Sequence, residues 1–157
     1  MIAPPEISQG GADAAHALAL LEADCFDVPW SASALRALLD DGLTRAWLVR
    51  AADGTLVGGA LVRLVAGEGE LLRIAVLPAT RRHGIGAALL REILSASADA
   101  CPHGLYLEVR ASNVAARHLY ARQGFVERGR RRDYFQAPRE DAILMQWRPA
   151  AAVSARP

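Results

Sequence analysis

The stretch that most constrains this chain is Leu71-Leu72-Arg73-Ile74-Ala75-Val76-Leu77-Pro78, followed by Ala79-Thr80-Arg81-Arg82-His83-Gly84-Ile85-Gly86 and then Ala87-Ala88-Leu89-Leu90. The first part is a short apolar run closed by a proline and reads as a mostly buried strand. Ile85, Leu89, Leu90, Ile93 and Leu94 then fall at helical spacing, which predicts an amphipathic helix over about His83 to Ala98. A strand that runs into a basic, glycine-containing turn and then a helix makes an anion site. The leading N–H groups of the helix lack intrahelical partners, and its dipole favours negative charge there. Gly84 and Gly86 have no Cβ, so a phosphate can approach the backbone closely. A helix that merely begins with glycines and surface arginines has the same local pattern.

Other phosphate loops do not fit. A Walker loop needs Gly-Lys-Ser/Thr, and all 18 basic residues are arginine. A dinucleotide fingerprint needs three glycines at set spacing and a later ribose-binding acid, and neither is found. The absence of lysine also excludes an internal lysine as catalytic base or acetylation target.

A length of 157 residues, 52 % hydrophobic and 22 % charged, is that of a soluble globular chain able to bury one core. We expect one domain over residues 1–148 and a disordered tail over 149–157. No apolar run reaches the roughly 20 residues that span a bilayer, and no signal peptide is evident, so a cytoplasmic protein without membrane contact is expected. A net charge of +1 makes no case for nucleic acid. Cys25 and Cys101 stand far apart with no zinc spacing, and read as packed residues rather than metal ligands or a disulfide. A domain of this size suggests a monomer.

In order along the chain, residues 1–10 read as an irregular lead-in and Ala12 to Cys25 as a helix. Ser31 can cap a second helix through Leu39. Arg45–Arg50 and Leu56–Val65 read as strands joined at Asp53-Gly54, a hairpin signal, and Gly58-Gly59 suggests a bulge or close packing. With the central strand they make a three-stranded antiparallel meander. Leu105 to Arg110 alternates with period two, Tyr106, Glu108 and Arg110 on its polar face. Ser112 is expected to cap a helix through Gln123, stopped by Gly124. Phe125 to Gly129 and Ala142 to Arg148 read as closing strands, with an arginine-rich solvated loop between them.

The segment Leu107-Glu108-Val109-Arg110-Ala111-Ser112-Asn113, with Leu119-Tyr120 and Gly124-Phe125, carries the groups that an amine acylation needs. The acceptor amine must lose a proton. An α-amine titrates at about 7.7–8.0 against about 10.4 for lysine, so a carboxylate or a carboxylate-held water can assist near neutral pH. Glu108 is the candidate base, and the Tyr120 phenol a candidate donor to a leaving thiolate. An exposed backbone N–H near Val76 can stabilise an oxyanion. Plainer roles fit the same residues: a solvated glutamate, a core tyrosine, and an Asn113 that serves only its local cap.

Arg81-x-x-Gly84-x-Gly86-Ala87 after Ile74-Ala75-Val76 resembles the acetyl-CoA motif of the GNAT N-acetyltransferases. The segment around Glu108, with Cys25-Phe26, Pro29-Trp30-Ser31 and Glu140-Asp141-Ala142-x-Leu144-Met145, resembles their bacterial ribosomal-protein alanine branch, the RimI type. The resemblance implies an α/β (α+β) GNAT fold: a mixed, mostly antiparallel sheet, helices on both faces, and central strands splayed at Val76 and Leu107. It implies that Glu108 accepts and Tyr120 donates a proton. It also implies that acetyl-CoA contacts Ile74, Ala75, Val76, Arg81, Arg82, His83, Gly84, Ile85, Gly86, Ala87, Asn113 and Tyr120, without a metal. The expected acceptor is the N-terminal alanine of a small-subunit ribosomal protein. A small amine (polyamine, amino acid or aminoglycoside) is the alternative acceptor, and a CoA-binding module without turnover the alternative class. Three features depart from the family: Tyr134-Phe135 where a tyrosine pair is common, Arg73 at a position commonly small or polar, and the dense cluster Arg128, Arg130, Arg131 and Arg132.

Overall fold

The computed structural model describes residues 4–150, so from position 151 onward the expected disordered tail lies outside the described residues. The strands are Glu6–Gly10 (β1), Thr44–Arg50 (β2), Leu56–Val65 (β3), Glu68–Val76 (β4), Leu105–Arg110 (β5), Val126–Gln136 (β6) and Arg139–Trp147 (β7). The helices are Ala15–Cys25 (α1), Ala32–Asp40 (α2), Ile85–Ser97 (α3) and Val114–Arg122 (α4). One sheet runs in the order β1-β2-β3-β4-β5-β7-β6. Its neighbours are antiparallel except β4 and β5, which are parallel.

The sheet separates two cores. Successive residues of β2 point to opposite faces, so Ala46 and Leu48 pack with α1 and α2, while Trp47 and Val49 pack with α3 and α4. Gly58-Gly59 marks close packing: a Cβ at Gly59 would stand 2.9 Å from Leu18 Cδ2, so α1 lies directly on β3. This is the expected GNAT arrangement, helices on both faces of a mixed sheet.

Four local expectations are corrected. The lead-in is not irregular throughout, because Glu6–Gly10 forms β1 along the open edge of β2, from Glu6 opposite Arg50 to Gly10 opposite Ala46. That strand has little apolar alternation; the unpaired backbone edge of β2 recruits it. Helix α3 starts at Ile85 rather than His83, since Gly84 takes φ +78. The cap of α4 is Asn113, whose Oδ1 accepts from Ala116 N–H at 3.2 Å; the Ser112 N–H donates instead to Glu140 Oε2 at 2.6 Å. Finally, the arginine-rich segment is no loop but part of β6, an almost wholly exposed edge strand. With both faces polar it offers no period-two signal to read.

Strands β4 and β5 pair only at Gly69–Leu105 and Glu70–Tyr106 and then part. Beyond that point Leu72, Arg73, Ile74 and Val76 are half-buried, less covered than an apolar run suggests, because the gap leaves one side of β4 open.

Candidate active site

The gap between β4 and β5 opens between the loop before α3 and the polar face of β5. At its far end, β4 runs through Pro78 into the loop before α3. Arg82 and Gly84 both take left-handed conformations, φ +67 and +78, and a Cβ at Gly84 would meet nothing within 4 Å. Ala88 is the first amide bonded into the helix, to Gly84 O at 3.0 Å, so the Ile85, Gly86 and Ala87 amides lead the helix without helical acceptors. Gly86 is the close-approach position, where a Cβ would stand 3.3 Å from Leu119 Cδ2 and 3.9 Å from Val76 Cγ2. The loop is thus a backbone cradle at a helix N-terminus, open to solvent, with the chemistry of a pyrophosphate site.

Not every expected residue of the loop turns its side chain to the cradle. Arg81 Nε donates to the Val76 carbonyl at 2.9 Å, and the Cys25 thiol donates to the same oxygen at 3.5 Å. His83 Nδ1 lies 3.1 Å from Thr80 O. Arg82 is exposed and positioned on the loop. Asn113 spends its oxygen on the α4 cap and keeps its amide N–H groups for another partner. Burial raises the Cys25 thiol above its ordinary pKa, which keeps it protonated.

Tyr120 comes from α4 into the core on the α3/α4 face. It is 6 % exposed and packs against Phe125 with ring centroids 5.7 Å apart. Burial pushes its phenol up to about 12, so the group is neutral at physiological pH.

Glu108 faces the other way. Leu105, Leu107 and Val109 of β5 are buried in the α3/α4 core, so alternation turns Tyr106, Glu108 and Arg110 to the α1/α2 face. There Glu108 Oε1 lies 3.2 Å from Arg131 Nε of β6. The Tyr134 phenol lies beside this carboxylate, whose interaction with it holds the phenol above the ordinary tyrosine pKa. In a regular strand Arg131 and Tyr134 would face opposite sides. A bulge changes this: the β6–β7 register passes from Arg131 opposite Ala142 to Phe135 opposite Glu140. Asp133 sits in it at φ +50, its N–H donating to Asp141 Oδ1 at 2.9 Å, while Asp141 Oδ2 holds Arg130 at 3.0 Å. Arg131 reaches Glu108 through its register opposite Ala142, itself opposite Arg110, and the bulge that follows brings Tyr134 to the same side; the sequence alone placed neither beside Glu108, because both depend on pairing with β7.

The opposite wall is the segment between α1 and α2. Arg73 of β4 pairs with Glu22 at 3.1 Å, donates to Val28 O at 3.1 Å, and lies over the Phe26 and Trp30 rings at 4.1 and 4.3 Å. Glu22 also accepts from Trp30 N–H at 3.0 Å. Arg73 therefore ties the wall to the central strand, which explains its departure from a small or polar residue.

A family model described as the Acetyltransferase (GNAT) family matches residues 15–125. The chain belongs to the GNAT acetyltransferases. It is homologous to the RimI-type members. It is 41 % identical over 95 residues to the [ribosomal protein bS18]-alanine N-acetyltransferase of Escherichia coli strain K12, covering 59 % of this chain and 64 % of that relative, so the match spans less than two thirds of its length. It is 38 % identical over 138 residues to the N-alpha-acetyltransferase RimI of Mycobacterium tuberculosis, covering 84 % of this chain and 85 % of that one. Its fold matches the crystal structure of the Escherichia coli ribosomal-protein-S18-alanine N-acetyltransferase with a TM-score of 0.87 and 30 % identity, over 98 % and 99 % of the two chains. No helix among the described residues is long and apolar enough to cross a membrane.

Proposed function

We propose that this chain transfers an acetyl group from acetyl-CoA to the α-amine of a protein N-terminus, the acceptor being an N-terminal alanine of a small-subunit ribosomal protein. In this reading residues 1–148 act as one acetyltransferase domain. The observation that carries it is the position of Glu108: on the sheet face opposite the α3/α4 core, beside the gap that opens between β4 and β5.

The residues fit the co-substrate. The cradle from Arg82 to Ala87 suits its pyrophosphate, the free side of Ile74 to Val76 its pantetheine amides, and the Asn113 amide a further polar contact. Arg81 supports the cradle from behind by holding the Val76 carbonyl. Acetyl-CoA supplies an activated thioester. Glu108 takes the proton of the acceptor amine, directly or through water, and Tyr120 holds the proton that a departing thiolate needs. The α-amine suits this base because about a tenth or more of it is already neutral at pH 7.

The acceptor face supports a peptide over a polycation. Three of its carboxylates are matched, Glu22 with Arg73, Glu108 with Arg131, and Glu140 with Arg110. Glu70 has no ion-pair partner among the described residues. A site for a polyamine needs several uncompensated acids. The names of the bS18-alanine and N-alpha relatives point the same way.

The test is CoA release with acetyl-CoA and short peptides: the N-terminal sequence of the small-subunit protein from the same organism, a blocked copy, a lysine control, and spermidine. Turnover on the free alanine terminus, lost on blocking, supports the assignment. Turnover on spermidine or internal lysine alone overturns the acceptor, and binding of CoA without turnover on anything would make the chain a non-catalytic module.

A further inference from the structure

We infer that Arg131 is a charge filter at the acceptor mouth, a specificity-determining residue that excludes multiply charged amines from Glu108. The inference rests on the N-terminal acceptor proposed above and names the residue that enforces it.

A general base for an amine has a built-in conflict. A bare carboxylate attracts ammonium groups strongly, and it attracts a polyamine more than a peptide N-terminus, since the polyamine brings further charges. Here the carboxylate is not bare. Arg131 Nε stands 3.2 Å from Glu108 Oε1. Its own side chain is 59 % exposed, so the guanidinium lies at the rim rather than in the core. An acceptor approaching Glu108 meets a neutral pair with a positive outer edge. A singly charged or neutral α-amine can share the carboxylate with this one ion-pair contact, whereas a second ammonium group must lie against the guanidinium.

The surroundings leave this charge in control. On β5, Tyr106 is bonded to Gln146, and Arg110 is occupied by Glu140 and stacked on Phe135 at 4.3 Å. From β7 the residue opposite Glu108 is Leu144, which is neutral. From β6 come Arg131 and Tyr134, with Arg128 on the same face but bonded to Gln146 Oε1 at 3.1 Å, and from β4 come Glu70 and the already paired Arg73. Arg131 is also not placed by chance. Its register opposite Ala142 sets it on the Glu108 face, the bulge that Asp133 and Asp141 build brings Tyr134 to the same side, and the guanidinium lies 5.5 Å from the Tyr134 ring centre.

The experiment uses the full chain with acetyl-CoA and the alanine-terminated peptide, and measures spermidine as an inhibitor of peptide acetylation. In Arg131→Gln the spermidine inhibition constant is expected to fall by about fivefold, the size of one exposed charge contact. Arg131→Lys, which keeps the charge, should stay within about twofold of wild type, as should Arg132→Gln, which removes an equal charge from the same bulge. The inhibition constant of the acetylated peptide product, uncharged at that nitrogen, should not move in any of them. Peptide turnover with an unchanged spermidine constant in Arg131→Gln, or an equal fall in Arg132→Gln, overturns the filter and leaves the acceptor assignment standing. A wild type that acetylates spermidine in preference to the peptide overturns both.

Discussion

Glu22 of α1 and Arg73 of β4 close an ion pair of 3.1 Å beneath the segment that joins α1 to α2. The Glu22 side chain is only 5 % exposed, so without Arg73 its charge has little water to turn to. Arg73→Ala should therefore destabilise the fold by about 3 kcal/mol, read as a lower urea midpoint at unchanged slope. Removing both charges with Glu22→Leu and Arg73→Leu together should recover most of that loss. The single variant should also raise KM for the acceptor more than for acetyl-CoA, because the loosened segment walls the acceptor side.

Glu108→Gln and Tyr120→Phe keep shape and remove one proton-transfer group each. Both should lower kcat by about 100-fold or more. Acetyl-CoA affinity, measured by calorimetry, should be unchanged in Glu108→Gln and should fall far less than the rate in Tyr120→Phe, since the ring that can contact acetyl-CoA is kept and only the phenol oxygen is removed. A variant that loses acetyl-CoA binding with its rate would instead be part of the binding site.

The raised Tyr120 phenol has a pH consequence of definite sign. Folding favours its protonated form, so its contribution is fully present below about pH 10, the ordinary tyrosine value, and is lost as pH rises toward about 12. Urea midpoints taken between about pH 9 and 11 should fall faster for wild type than for Tyr120→Phe. Parallel curves would mean that the phenol ionises without cost.

Asn113 has two separable duties. Its Oδ1 caps α4 through Ala116 N–H at 3.2 Å, and its amide N–H groups are left for acetyl-CoA. Asn113→Ala should cost about 1 kcal/mol of stability, whereas Asn113→Ser keeps a capping oxygen and should cost much less. Both should raise KM for acetyl-CoA. If only the alanine variant did so, the residue would act through the helix alone.

The periodic parts of this molecule could be read from the chain. Leu71 to Val76 gave a strand, Ile85 to Leu94 a helix face, and Leu105 to Arg110 a strand with its polar side correctly assigned, because each pattern repeats over neighbouring residues. Gly84 and Gly86 likewise announced a cradle, since a left-handed turn and a close helix approach leave few alternatives to glycine.

What lay beyond the sequence depends on contacts between distant residues. β1 exists because β2 has an open edge, not because Glu6–Gly10 is a strong strand former. The Ser112 N–H donates to Glu140, and the cap of α4 falls one residue later, on the Asn113 side-chain oxygen. The polar pattern of β6 concealed both the strand and its bulge, and with them the meeting of Arg131 and Tyr134 at Glu108. By itself the sequence determined the order of the periodic elements, the glycine turn before α3 and which residue types were available to a site, since these follow from local periodicity and backbone stereochemistry. Only the tertiary structure decided which charges face one another across the gap, because strand register and the two bulges of β6 set those distances.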